Sequence, residues 1–262
     1  MTPPDGNVRR FSPDIEELAD ECYNTPAVKC EFSALGGIQG GGTSSRRAIV
    51  HRTGRPAWIK PAGIAGDNQS SVANEKIASD LAYRLRLPVA PVQIILDHGQ
   101  ADFPAIVAAS YQASEQPRPW TEGHLNEAQR RSLAAPLGAM RVFHAWIDDH
   151  DHDWNPGNAL IDVIDERTVR TIFIDYSFSL TRQWTPPTPP PARNWNSRNG
   201  PFKNLDPVAA LAAIDRINQL ALSDIEAIIY RVPEAILAHA TGVGLARGLY
   251  ERRAGLKGLL GL

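Results

Sequence analysis

Cysteine and methionine are scarce, with two of each in 262 residues. Cys22 and Cys30 cannot build a multi-bridge framework, and nothing around them points to secretion, so reduced thiols in structural roles are expected. An excess of charge of one sign is also missing: 27 Lys and Arg stand against 29 Asp and Glu, for a net charge of -2. That balance excludes the broad basic footprint of a nucleic-acid binder or an anionic-membrane binder. No apolar run reaches the roughly 18 residues that span a bilayer. The opening MTPPDGNVRRFSPDIEEL has no hydrophobic leader, so a cytoplasmic location is expected. A Gly-x-x-x-x-Gly-Lys-Ser/Thr loop, a Gly-x-Ser-x-Gly elbow and internal repeats of 20 to 50 residues are absent as well.

What is present is an ordinary globular composition, 43% hydrophobic and 21% charged, in a chain long enough for one large domain or two small lobes. Residues 1–30 read as a lead-in with a helix, DIEELADECY, opened by Ser12 and Pro13. From 31 to about 60 come short β-like runs broken by glycine: EFSAL, GGIQGGG, RRAIVHR, a Gly-Arg-Pro turn and AWIK. SSVANEKIASDLAYRLRL predicts an amphipathic helix over 70–87 whose stripe is Val72, Ala78, Leu81, Ala82 and Leu85, with Glu75 at its edge. Pro88 is expected to stop it, and VQIILD and PAIVAAS follow as strands.

Beyond Pro117 and Pro119 the pattern turns helical. EAQRRSLAAPLGAMRVFHAWIDD places Leu133, Leu137, Met140, Val142, Phe143, Trp146 and Ile147 at helical spacing, with a bend expected at Pro136. The polar stretch DDHDHDWNPGN reads as a loop, and ALIDVI and RTIFID as a hairpin around DERTV. Residues 182–205 read as a proline-rich surface loop offering Trp184, Arg193, Trp195 and Arg198 to a substrate, and Pro207 to the end as two or three helices.

The chemistry-bearing pattern is Asp153-Trp154-Asn155-Pro156-Gly157-Asn158 followed, across the hairpin, by Asp175. One Asp can accept a hydroxyl proton while an Asn and a second Asp offer hard oxygens to Mg²⁺. A solvated acidic loop remains an alternative on spacing alone. Lys60, ending AWIK, can approach phosphates from the other side with Glu75 on the next helix as its partner. Gly40, Gly41, Gly42 and Thr43 lie between two β-like runs where backbone N–H groups can cover phosphates. The run His144, Asp148, Asp149, His150, Asp151, His152, Asp153 leaves a metal-hydrolase reading open, although alternating ligands in one loop point in different directions.

With these residues placed, residues 34–180 resemble the HipA-like kinases and, more distantly, the phosphatidylinositol 3- and 4-kinases. ANEKIASDLAYRLRLPVAPVQI is similar to the helix carrying the lysine-pairing Glu, DWNPGNALI to the catalytic loop, and FIDYSFSL to the segment with the metal-binding Asp. Three features depart from the pattern: Trp154 follows the Asp, Tyr176-Ser177 replaces a Phe-Gly pair, and the glycine stretch differs in length.

The resemblance implies a two-lobed α+β protein-kinase-like fold, with a β-rich N-lobe over 31–113 and a mainly helical C-lobe over 114–262 that holds the catalytic hairpin at 148–180. The hinge is expected near Ala109 to Gln112. It implies Asp153 as catalytic base, Asn158 and Asp175 as Mg²⁺ ligands, Lys60 with Glu75 on the phosphates, and ATP as donor. The expected acceptor is a hydroxyl, with Ser or Thr of a protein favoured. A lipid, inositol-like or other small-molecule acceptor is the alternative, as is a nucleotide-binding pseudokinase acting as an interaction module.

Overall fold

The computed structural model describes residues 11–36, 45–61, 70–114, 117–121, 123, 125–180, 200–202 and 206–262. The first part is a six-stranded sheet in the order β1-β5-β6-β4-β3-β2. Its strands are β1 (Ala27–Lys29), β2 (Phe32–Ala34), β3 (Arg46–Val50), β4 (Arg55–Pro61), β5 (Val92–Leu96) and β6 (Ile106–Tyr111). All neighbours are antiparallel except β1 with β5. Three residues of β1 were not foreseen, because a three-residue run carries no period to read.

The two-residue period of the strands sorts side chains between two helices. Ile94 and Ala108 face the helix α2 (Ser70–Arg84) and join its Val72, Ile77 and Leu81. Ile95, Val107, Ala109, Ala57 and Ile59 face the other way and pack with Phe11, Ile15, Leu18 and Cys22 at and within α1 (Pro13–Asn24). The sheet is therefore a middle layer. Two boundaries differ from expectation. The turn falls before Arg-Pro rather than on Gly-Arg-Pro: residues 51–54 make it, with Gly54 at φ 66°, and Arg55 already pairs with Val50. The helix α2 stops at Arg84 rather than running to Pro88, because Arg86 takes a left-handed conformation (φ 56°).

A second sheet, β7 (Arg118–Pro119), β8 (Ala159–Val163) and β9 (Val169–Phe173), contains the expected hairpin. Two backbone hydrogen bonds tie it to the first part, from Phe173 N–H to the Pro88 carbonyl at 2.8 Å and from Ala90 N–H to the Phe173 carbonyl at 2.9 Å. Ala109–Tyr111 are still strand, so the chain leaves the first sheet only at Gln112.

The helix α3 (Glu127–Ile147) starts at a capping box, Asn126 with Gln129, and runs its 21 residues through Pro136. Its second half is buried, and Trp146 donates its indole N–H to the Leu249 carbonyl at 2.8 Å. Four helices follow instead of two or three: α5 (Pro207–Asn218), α6 (Leu222–Ile229), α7 (His239–Arg252) and the short α8 (Leu256–Leu260). Gly138 lets α3 and α5 touch: a Cβ there would lie 2.9 Å from the Asp206 carbonyl oxygen. The polar stretch between α3 and β8 is not plain loop. Asp151–Trp154 form one helical turn, α4, and Pro156–Asn158 a 3-10 turn.

Candidate active site

Three separate elements deliver one cluster. Lys60 comes from β4, Glu75 from α2 and Asp175 from the segment after β9. The Lys60 Nζ donates to Glu75 Oε1 at 2.5 Å and lies 2.8 Å from Asp175 Oδ1. Lys60 and Glu75 are 4% and 1% exposed, so the attraction acts with little water between them. Burial alone would pull the Lys60 ammonium down, but Asp175 and Glu75 raise it above its ordinary value. Burial pushes Asp175 up and Lys60 overrides it, holding the carboxyl below its usual range. Glu75 is pushed up by burial, against Lys60.

The other half of the site is the turn Asp151–Asn158. Asn158 donates from Nδ2 to Asp151 Oδ2 at 2.6 Å and accepts on Oδ1 from Asn155 at 3.2 Å. Its backbone carbonyl receives the Ile174 N–H at 3.0 Å, which seats Asn158 beside the Asp175 segment. Burial raises the Asp151 carboxyl, and the nearby Asp175 charge raises it further. Two carboxylates and an amide oxygen on adjoining segments are hard donors, and repulsion between the carboxylates is what a divalent cation would relieve. Asp153 lies on α4 and pairs with the buried guanidinium of Arg141 on α3. Burial raises its carboxyl while Arg141 lowers it, with the net above the ordinary value.

A third layer lies beneath these residues. Among the described residues, His144, Asp149 and His152 bring potential ligand atoms within 4.8 Å of one another. Hydrogen bonds occupy both ring nitrogens of His152 and the Asp149 carboxylate, and His144 faces the Tyr176 hydroxyl from Nε2 at 3.1 Å. His152 faces Asp149 Oδ2 from Nδ1 at 2.9 Å and the Ile174 carbonyl from Nε2 at 2.9 Å. Both oxygens can only accept, so both ring nitrogens carry protons and neither has a lone pair for a metal. Burial works against the imidazolium, but Asp149 raises His152 above its ordinary value. Asp149 also receives the Ser179 hydroxyl at 2.8 Å. His144 is held neutral by burial and by the charge of His152. This cluster braces the turn against the Asp175 segment.

Lys60, Glu75 and Asp175 thus meet, Asn158 adjoins them, and Asp153 stands at the Arg141 side. Gly40, Gly41, Gly42 and Thr43 lie outside the described residues, as do Trp184, Arg193, Trp195 and Arg198. Sequence reasoning assigned no role to Asn74, Arg141 or Ser177. Arg141 sits in an apolar helical run that signals core, and Asn74 precedes Glu75 without a motif of its own. Ser177 carried a signal, as a departure from the family pattern.

No protein-family model matches the chain, and no curated protein matches it. Solved structures do. A Helicobacter pylori proinflammatory kinase, CtkA, superposes with a TM-score of 0.58 at 16% identity, covering 88% of this chain and 94% of its own. A Golgi casein kinase solved with Mn and ADP superposes with a TM-score of 0.52 at 12% identity, covering 95% and 77%. At such identities the likeness concerns architecture, and it establishes that this chain has a protein-kinase-like fold: a curled β-sheet part with one inserted helix, joined to a helical part.

Proposed function

We propose that the chain is an ATP- and Mg²⁺-dependent phosphotransferase of HipA-like type that passes the γ-phosphoryl group to a hydroxyl, with Ser or Thr of a protein the favoured acceptor. The observation that carries this reading is Lys60 held between Glu75 and Asp175. An ammonium kept charged at that depth, with one carboxylate fixing it and another beside it, is a preformed receptor for phosphate oxygens. In this reading Asn158 and Asp175 hold Mg²⁺, which when bound neutralises charge on the phosphate oxygens. Asp153, oriented by Arg141, accepts the proton of the attacking hydroxyl, and Gly40, Gly41, Gly42 and Thr43 cover the phosphates. Positioning and electrostatics supply the acceleration.

A thermal-shift series tests it with Mg²⁺ alone, ATP alone and both together, since a ligand that binds only the folded state raises apparent stability. The expected result is a shift that needs both ligands and disappears in Asp175→Ala. Asp153→Ala is expected to keep that shift and lose turnover. A shift with nucleotide in a wild-type protein that never transfers phosphate would leave a nucleotide-binding module instead, and loss of folding in Asp153→Ala would sink the base assignment.

A further inference from the structure

The segment after β9 is short and largely buried. Asp175 and Leu180 both take left-handed backbone conformations, φ 67° and 61°. Such conformations are unfavourable for residues other than glycine and persist only where surrounding contacts hold them. The contacts come from two sides. From the turn side, His152 donates to the Ile174 carbonyl and Asp149 accepts from Ser179. From the α2 side, the Asn74 amide donates to the Ser177 carbonyl at 3.0 Å and to the Ser179 carbonyl at 2.8 Å. The Ser177 hydroxyl donates to Glu75 Oε1 at 2.8 Å, the same oxygen that receives Lys60.

We propose that Asn74 and Ser177 are positioning residues that fasten the Asp175 segment to α2 and thereby set where the cation-binding carboxylate sits. The inference rests on the phosphotransferase reading. Its physical basis is that Glu75 Oε1 is one acceptor shared by two donors, Lys60 from the sheet and Ser177 from the cation-binding segment. A hydrogen bond to a charged group is stronger than one between neutral groups, and its direction fixes where Ser177 sits. Asn74 is 1% exposed and its amide spans carbonyls two residues apart, so it sets the curvature of the same segment. If α2 moves, Ser177 and the carbonyls of 177 and 179 move with it, and Asp175 is carried along.

The test is the Mg²⁺ concentration giving the half-maximal thermal shift at saturating ATP. It is measured on the full chain for wild type, Ser177→Ala, Asn74→Ser, Glu75→Gln and the Ser177→Ala/Glu75→Gln double variant. Ser177→Ala and Asn74→Ser are expected to raise the Mg²⁺ midpoint about tenfold, while the melting temperature without ligand moves by only a few degrees. The double variant is expected to show less than the sum of the two single effects, because Ser177 acts in part through Glu75. Ser177→Ala deletes one oxygen and keeps the backbone, so it carries the test even where an Asn74 variant folds poorly. Midpoints equal to wild type in Ser177→Ala, or a double variant showing the full sum of both effects, would overturn the inference while leaving the phosphotransferase reading standing. No Mg²⁺-dependent shift in wild type would remove that reading and the inference with it.

Discussion

Asp148 shows how single residues were hidden in a polar run. It ends α3 in a left-handed conformation (φ 56°) and gathers Arg252 of α7 at 2.9 Å and His150 at 2.8 Å on one oxygen. Burial pushes its carboxyl up, but His150 and Arg252 win and take it from 3.8 to about 2. A carboxyl depressed on folding adds stability that is present above its unfolded value and lost as pH falls through its folded one. Asp148→Asn, which tolerates the same backbone, is therefore expected to cost on the order of 2 kcal/mol at pH 7. The gap to wild type should close between about pH 4 and pH 2 in urea titrations. A gap independent of pH over that window would mean the ion pair is not its origin. The meeting of Lys60, Glu75 and Asp175 was legible in the sequence because a strand lysine, a helix glutamate and an aspartate after a hairpin form a recognisable order along the chain. The separate tasks of Asp148, Asp149, Asp151 and Asp153 were not, since four like carboxylates within six residues acquire different roles only when α3 ends and α4 turns them apart.

At the scale of elements, α2 departs most from its sequence reading. An amphipathic stripe was expected, yet residues 71–82 are buried on every face, so its polar side chains are internal. Lys76 is the clearest case. Its ammonium is wholly buried and donates to Asp80 at 2.7 Å, to the Cys22 carbonyl at 2.9 Å and to the Val92 carbonyl at 3.0 Å, joining α1, α2 and β5. Burial raises the Asp80 carboxyl to about 6 even with that partner. Removing one member of a buried pair strands the other. Lys76→Ala should cost about 3–5 kcal/mol by denaturant unfolding, and Lys76→Met/Asp80→Leu should recover most of that loss. A loss below about 1 kcal/mol would show that Lys76 does not hold α1 to α2. Periodicity could not reveal this, because a paired charge in the core and a solvated charge on a surface look identical in a sequence. The strands of five or more residues and α3 were legible because their apolar patterns are long enough to read, whereas the three residues of β1 were not.

For the whole molecule, the order of parts was legible: a lysine-bearing strand, a glutamate-bearing helix, a polar turn, a hairpin and a final aspartate. That order is enough to imply two parts facing one site, and the protein-kinase-like likeness agrees with it. The helices after Pro207 were less legible, since short helices separated by three to nine residues blur into one apolar pattern. Transfer of the γ-phosphate tests the central claim most directly. Purified protein is incubated with γ-labelled ATP and Mg²⁺, beside Asp153→Ala and Asp175→Ala, and label is followed into protein and into free phosphate. Mg²⁺-dependent loss of label from ATP in wild type, reduced at least about 100-fold in both variants, is the predicted result. Unchanged ATP in wild type, or equal turnover in all three proteins, would contradict the account.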